Sequence, residues 1–339
     1  MFKDYFKNIS EKEYRGSDRV SYSFLKIFSE KGPKAIIEPQ LEIFGAGVTL
    51  GSVVDKILSD DNYFVESEYT INDVEVDYSG TTHPSKILCF LRDNKDITLE
   101  KGDDATLNRI FSILEFKRNP TVDEDFWKQV EVINLANKGA NFLSRKELDI
   151  ANIMVNTFKT HEFTKDIFNT TLDEEVINQA ILYFELEGVQ CKCMIDKIVI
   201  NHRTAKVYLY DIKTGATSDF MKNFYGYKYY YQGALYFNAI YNLLSAIIES
   251  NVNYRGYKIE PCFNFIYISR DNLYQPLIYR MNYDFIKKVL SGYETLLGNK
   301  VIGIYQLLKD YKYYKDNDIY DIKRELKESN GVIEINTPK

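Results

Sequence analysis

Asp196, Asp211 and Lys213 are the residues of this chain whose types and spacing suit chemistry. The last two stand in the triplet Asp211-Ile212-Lys213, an acid and an amine two positions apart. On an extended strand such side chains share a face, so a carboxylate and an ammonium would point at one spot. The bare triplet says little. It recurs at Asp93-Asn94-Lys95, Glu115-Phe116-Lys117, Asp321-Ile322-Lys323 and Glu325-Leu326-Lys327, where solvated surface charge is the plain reading.

The surroundings of Asp211 set it apart. Residues 189–200 and 205–213 read as a β-hairpin turning at Asn201-His202-Arg203-Thr204. Symmetric pairing puts Asp196 opposite Asp211, Ile198 opposite Leu209 and Ile200 opposite Val207. Asp196, Ile198 and Ile200 then lie with Val207, Leu209, Asp211 and Lys213 on one face, apolar except for two acids and a lysine at one end. Neighbouring carboxylates on an apolar face repel each other and are costly to desolvate, so a divalent cation between them is expected. Hard oxygen ligands suit Mg²⁺, with Mn²⁺ as a substitute. Lys213 would orient or deprotonate a water, or neutralise charge on a phosphate. That set matches a metal-dependent phosphodiesterase. A structural salt bridge between Lys213 and the two acids is the alternative this reading leaves open.

The elements that must position these residues follow from periodicity. Ser21 and Ser23 can cap a helix through FLKIFSEKG that stops near Gly32-Pro33, and a second helix fits 50–58. A short strand is expected over 63–70. Residues 83–170 are mostly helical in pattern and carry no catalytic signature, which predicts a helical insertion. From about residue 176 three β-runs follow one another, then a long helix over 218–249, strands at 261–269 and 275–281, and a helical region over 283–315. The simplest organisation is a single domain over 1–339, with a core sheet and helix at 171–282 and a polar tail at 318–339.

Composition narrows the function classes. The 339 residues are 45% apolar and 27% charged, a globular balance, and the formal net charge of −6 argues against broad nucleic-acid coating while admitting a locally basic cleft. The longest apolar stretch, 240–248, is interrupted by Asn242 and Ser245 and is too short to span a membrane. The opening MFKDYFKNIS has no apolar signal core, from which a cytoplasmic location is expected. Cys89, Cys191, Cys193 and Cys262 form no CxxC pair, so four reduced, mostly buried thiols are expected rather than a zinc or iron–sulfur site.

The run CMIDKIVINHRTAKVYLYDIKTG resembles the core of the PD-(D/E)xK nucleases, in particular their RecB/RecE-like and lambda-type exonuclease branch. The resemblance implies that Asp196 and Asp211 bind metal, that Lys213 is catalytic and that the Ile212 carbonyl is a further ligand. Three more segments extend it. YYYQGALYF places Gln232 and Tyr236 one helical turn apart, as in that branch's Gln-xxx-Tyr motif, and both could hydrogen-bond a DNA phosphate or base. The neighbouring Lys228 and Tyr229 belong to an aromatic run suited to stacking on bases or meeting phosphates. VSYSFLKIF resembles the Ser-x-Ser-x-Leu helix start, and LGSVVDKIL the Gly-xxx-His/Glu helix, with Asp55 where the last metal ligand falls. Asp55 departs from the pattern, being a shorter acid.

The implied fold is α/β, a restriction-endonuclease-like core of mixed β-sheet flanked by helices, with the helical insertion. The implied function is Mg²⁺-dependent exonucleolytic hydrolysis of double-stranded DNA ends for recombination or repair. A phage origin, a single-strand annealing partner and a homo-oligomeric ring go with that branch. An iron–sulfur-free RecB-like endonuclease, or a catalytically inactive nuclease-fold DNA-binding protein, are the other readings. Remaining motifs are weaker: Gly45-Ala46-Gly47 with Gly51 fits no phosphate-loop spacing, His161-Glu162 begins no zinc-protease motif, and His83 and His202 lie in turn-like segments. Glu185 and Glu187 are expected to face outward.

Overall fold

The structure, a computed structural model, describes residues 1–38, 46–74, 76–118, 120–139, 141–295, 298–322, 324 and 328–330, with 46–49 and 142 described in their backbone alone. Gly45 and the triplets at 321–323 and 325–327 fall wholly or partly outside these residues, as do 331–339 of the expected tail. The chain divides into two units, Met1–Gly51 with Asn156–Lys339, and Ser52–Val155.

The first unit opens with helices α1 (Glu11–Gly16), α2 (Tyr22–Lys31) and α3 (Lys34–Ile37), then the start of α4 (Ala46–Ser59). Both ends of α2 follow from local chemistry. The Ser21 side chain accepts the Phe24 N–H, and Gly32 leaves the helix at φ 66°, a conformation that costs glycine little.

The second unit holds β1 (Thr70–Asn72), α5 (His83–Asp93), α6 (Asp104–Ile113), α7 (Glu124–Asn137), β2 (Phe142–Ser144) and most of α8 (Arg145–Thr160). Ile87, Leu91, Ile110, Phe126, Val130 and Ile133 form its core. The strand expected over 63–70 is a 3₁₀ turn at Val65–Ser67, and only Thr70–Asn72 is extended. The Ser67 hydroxyl donates to the Phe64 carbonyl, a local bond that competes with a ladder.

The first unit resumes with α9 (Lys165–Phe168) and the strands β3 (Glu174–Leu186), β4 (Val189–Asn201) and β5 (Lys206–Gly215). Helices α10 (Phe220–Gly226) and α11 (Tyr229–Ser250) carry the chain across to β6 (Lys258–Ile259), β7 (Cys262–Ser269) and β8 (Asn272–Asn282). It closes with α12 (Tyr283–Ser291), β9 (Tyr293–Glu294), β10 (Lys300–Val301) and α13 (Ile304–Asn317). The main sheet runs β3-β4-β5-β7-β8, with β6 also on β5. It is mixed: β5 and β7 are parallel, the other neighbours on that path antiparallel. All of β7 is buried, as a central strand beside a crossover helix requires. Helix α11 packs on β4 and β7 and touches α2 and α12.

Two expected helices are interrupted. The one over 218–249 breaks into α10 and α11 at Lys228, which adopts φ 54° while its Nζ reaches Ser29 Oγ at 2.9 Å and Glu30 Oε1 at 3.3 Å. The one over 283–315 is split by the β9–β10 hairpin after Gly292, at φ 93°. A Cβ on Gly303 would stand 2.3 Å from the Gly292 nitrogen, so the two chain passes meet only through glycines. All four cysteines are thiols: Cys191, Cys193 and Cys262 are buried, Cys89 partly so. No helix among the described residues is long and apolar enough to cross a membrane.

Candidate active site

The hairpin forms in the expected register. Lys197 pairs with Tyr210, Ile198 with Leu209, and Ile200 with Val207. The β4–β5 ladder ends at Lys197–Tyr210, one step before Asp196 and Asp211. In place of the next ladder bond, Asp196 Oδ2 accepts the Ile212 N–H at 2.8 Å. A side chain has thus taken over an acceptor role from the backbone, and the two strands are free to part.

Several features make this point irregular. Core residues of β4 change parity across it, from Cys191, Cys193 and Ile195 to Ile198 and Ile200. On β3 the same switch falls between Ile177 and Ala180, around Gln179 at φ 49°. Farther along β4, Val20 forms a parallel bridge with Cys191, its N–H donating to the Gln190 carbonyl and its carbonyl accepting the Lys192 N–H. The N-terminal segment therefore lies against the length of β4 that β5 does not cover.

Asp211 is wholly buried on the core face of β5. Its Oδ1 accepts from Gln232 Nε2 at 2.6 Å, and its Oδ2 lies 2.6 Å from Lys213 Nζ. Burial pushes the Asp211 carboxyl up, against the pull of Lys213. Burial pulls the Lys213 ammonium down, but Asp211 and Asp196 together outweigh it, and the net direction is up. Lys213 also sits over the Tyr229 ring, 4.9 Å from its centroid. Two carboxylates facing one ammonium leave negative charge in a largely desolvated place, and this is the chemistry of a cation site. Asp196, Asp211 and the Ile212 carbonyl are the groups that would hold Mg²⁺ or Mn²⁺ there. Among the described residues no three His, Cys, Asp or Glu side chains converge on one point. A site with two carboxylates, completed by substrate phosphate and water, is ordinary for Mg²⁺.

The other expected residues divide. Gln232 and Tyr236 are buried under the carboxylates, the first bonded to Asp211, the second with its hydroxyl pushed up by burial near Tyr14 and Cys193. Lys228 is tied to α2, and Tyr229 lies against Lys213. Asp55 stands on α4 in the second unit, one turn beyond Gly51. A Cβ on Gly51 would come 3.0 Å from Thr214 Oγ1 on β5, a close approach that favours glycine. Glu185 accepts from Gln190 and Glu187 pairs with Lys309. His202 joins Tyr257 and Glu175, and His83 opens α5 with its ring on Phe116.

Two participants escaped the reading of the sequence. Tyr22, between the serines of the Ser-x-Ser start, donates to the Tyr227 carbonyl at 2.5 Å and feels the charges of Lys213 and Asp211. Lys192 is buried, with Nζ donating to the carbonyls of Tyr14 at 2.8 Å, Arg15 at 3.1 Å and Ser17 at 2.8 Å. A lysine inside the apolar run of β4 was its signal.

Among solved structures the chain is similar to that of a "putative exonuclease" from Eubacterium rectale, at 13% identity and TM-score 0.48, covering 98% of this chain and 97% of that one. It is also similar to SSO0001, at 10% identity and TM-score 0.25, covering 72% and 90%. No curated protein matches it significantly. The family model for the PDDEXK-like domain of unknown function DUF3799 matches residues 115–301, more than half of the chain and all of the hairpin, α11 and β7. The mixed sheet with its carboxylates on parting strands is the restriction-endonuclease-like fold, and the chain belongs to this PDDEXK-like family of the PD-(D/E)xK nuclease superfamily.

Proposed function

We propose that the protein is a metal-dependent deoxyribonuclease that hydrolyses phosphodiester bonds, acting from duplex ends. The observation that carries this reading is the buried Asp211 carboxylate held between Gln232 and Lys213, beside Asp196 on the neighbouring strand. Asp196, Asp211 and the Ile212 carbonyl would hold the divalent ion. When bound, that ion supplies Lewis-acid polarisation of the phosphate and an acidified water.

The chain's own residues do the rest. Gln232 fixes one oxygen of Asp211 and so sets the orientation of its carboxylate. Lys213, kept protonated by two acids and held against the Tyr229 ring, presents a positive charge where negative charge grows at phosphorus. The Ile212 N–H fixes Asp196. Attack from duplex ends, a role in recombination, a phage setting, a ring assembly and an annealing partner follow from the resemblance to the lambda-type branch alone.

The test is degradation of end-labelled linear duplex DNA with Mg²⁺ by wild type and Lys213→Ala, beside a closed circular substrate. Loss of linear DNA alone, abolished in the variant, supports the exonuclease. Cleavage of circles replaces it with the endonuclease. Survival of both DNAs in Mg²⁺ and Mn²⁺ ends the nuclease reading, leaving Lys213 in a structural salt bridge.

A further inference from the structure

Within the aromatic run 224–231, Phe224, Tyr230 and Tyr231 are buried and Tyr229 is half-buried, while Tyr225 and Tyr227 are exposed. Tyr227, between α10 and α11, is 49% exposed. Its ring centroid is 5.6 Å from that of Tyr229 at an interplanar angle of 33°, and Tyr229 in turn lies under Lys213 Nζ. The rings thus make a step from solvent to the amine of the candidate site. The Lys26 Nζ of α2 lies over the Tyr227 ring, 5.0 Å from its centroid. Tyr22 locks the backbone beneath by donating to the Tyr227 carbonyl. Lys222 on α10 is exposed nearby in sequence.

We infer that Tyr227, with Lys26, is a stacking platform for an unpaired nucleotide of a single-stranded DNA segment entering the site. The chemistry selects the occupant. Inside a duplex both faces of a base are covered by its stacked neighbours, and a blunt end opens only the outer face of its last pair. Each unpaired nucleotide, by contrast, can turn a face onto a ring and bring its phosphate with it. The Lys26 ammonium over the ring gives way to the base and turns to the phosphate that accompanies it. This inference rests on the nuclease reading for the identity of the site and adds its substrate form: the strand is unpaired where it meets the protein, so overhanging or frayed ends are preferred to blunt ones.

The experiment measures binding separately from cleavage. Fluorescence anisotropy of labelled oligo(dT) and of a blunt hairpin duplex is followed in EDTA for wild type, Tyr227→Ala, Tyr227→Phe, Lys26→Gln and Tyr241→Ala. Tyr241 is an exposed ring in the body of α11, three turns from Tyr229. Tyr227→Ala is expected to weaken oligo(dT) binding about 5-fold or more, the usual scale for loss of one stacked base. Tyr227→Phe should restore it, Lys26→Gln should weaken it with a shallower salt dependence, and Tyr241→Ala should leave it unchanged. Equal losses in Tyr227→Ala and Tyr241→Ala, no loss in either, tighter binding of the blunt hairpin, or no binding of oligo(dT) by wild type would each overturn the platform. Stacking in EDTA without cleavage in Mg²⁺ would instead remove the nuclease reading and leave the platform standing.

Discussion

Removing the Lys213 charge should destabilise the fold as well as abolish activity, because the amine is the counter-charge of a carboxylate that water cannot reach. Lys213 Nζ and Asp211 Oδ2 are 2.6 Å apart, with the Asp211 side chain 0% and the Lys213 side chain 19% exposed. At an effective dielectric constant of about 20, that separation gives a gross attraction of about 6 kcal/mol. Desolvation of the two groups offsets roughly half of it, and breaking one partner of such a pair ordinarily costs about 3–5 kcal/mol. The partial exposure of Lys213 places the expected loss for Lys213→Met near the lower end, about 3 kcal/mol. For a unit of this size that is a fall in Tm of about 6–12 °C. The assay is thermal unfolding by circular dichroism without divalent metal, for wild type, Lys213→Met, Asp211→Asn and the double variant. The double variant should recover most of the loss, since no ionised carboxylate is left buried alone. Added Mg²⁺ should raise the Tm of Lys213→Met by supplying a positive charge to the acids. A single variant within about 2 °C of wild type, or a double variant no better than Lys213→Met, refutes the buried-pair reasoning.

Gln232→Leu removes a hydrogen bond to a charged acceptor, a loss of about 1.5–3 kcal/mol, partly offset because the buried Gln232 Oε1 has no hydrogen-bond partner among the described residues. A net cost of about 1–2 kcal/mol in urea unfolding is expected, and a more stable variant would contradict it. Lys192→Met leaves the Tyr14, Arg15 and Ser17 carbonyls without their shared donor. A loss of about 1–3 kcal/mol is expected, with faster hydrogen exchange in α1, and unchanged exchange there would dispose of the anchoring role. Burial pushes the Cys191 thiol up to about 12, and Cys193 and Cys262 upward as well. At pH 8 Ellman's reagent should therefore titrate Cys89 alone in the native protein, and two or more fast thiols would show that the sheet does not shield them.

Much of the site was legible because strand pairing is arithmetic. Side chains alternate with a period of two, so the turn at Asn201–Thr204 and the apolar residues of both arms settle which partners meet, and Ile198–Leu209 and Ile200–Val207 form as expected. The Ser21 cap and the Gly32 stop of α2 are likewise local, each a matter of one side chain or one φ angle. The helix break at Lys228 depends instead on Ser29 and Glu30, far away in the chain, and propensity alone continues that helix. Whether Gln232 and Tyr229 face solvent or the acids could not be read from a helix rich in tyrosine, where every face is apolar enough to bury. Packing of α11 on the sheet decided it, turning Gln232 onto Asp211 and leaving Tyr227 outside. Spacing along the chain thus determined which acids and which amine could meet. Tertiary packing decided how deeply they are buried, what charge they carry and which neighbours still see solvent, because desolvation depends on the elements that close over a site and not on the strand that carries it.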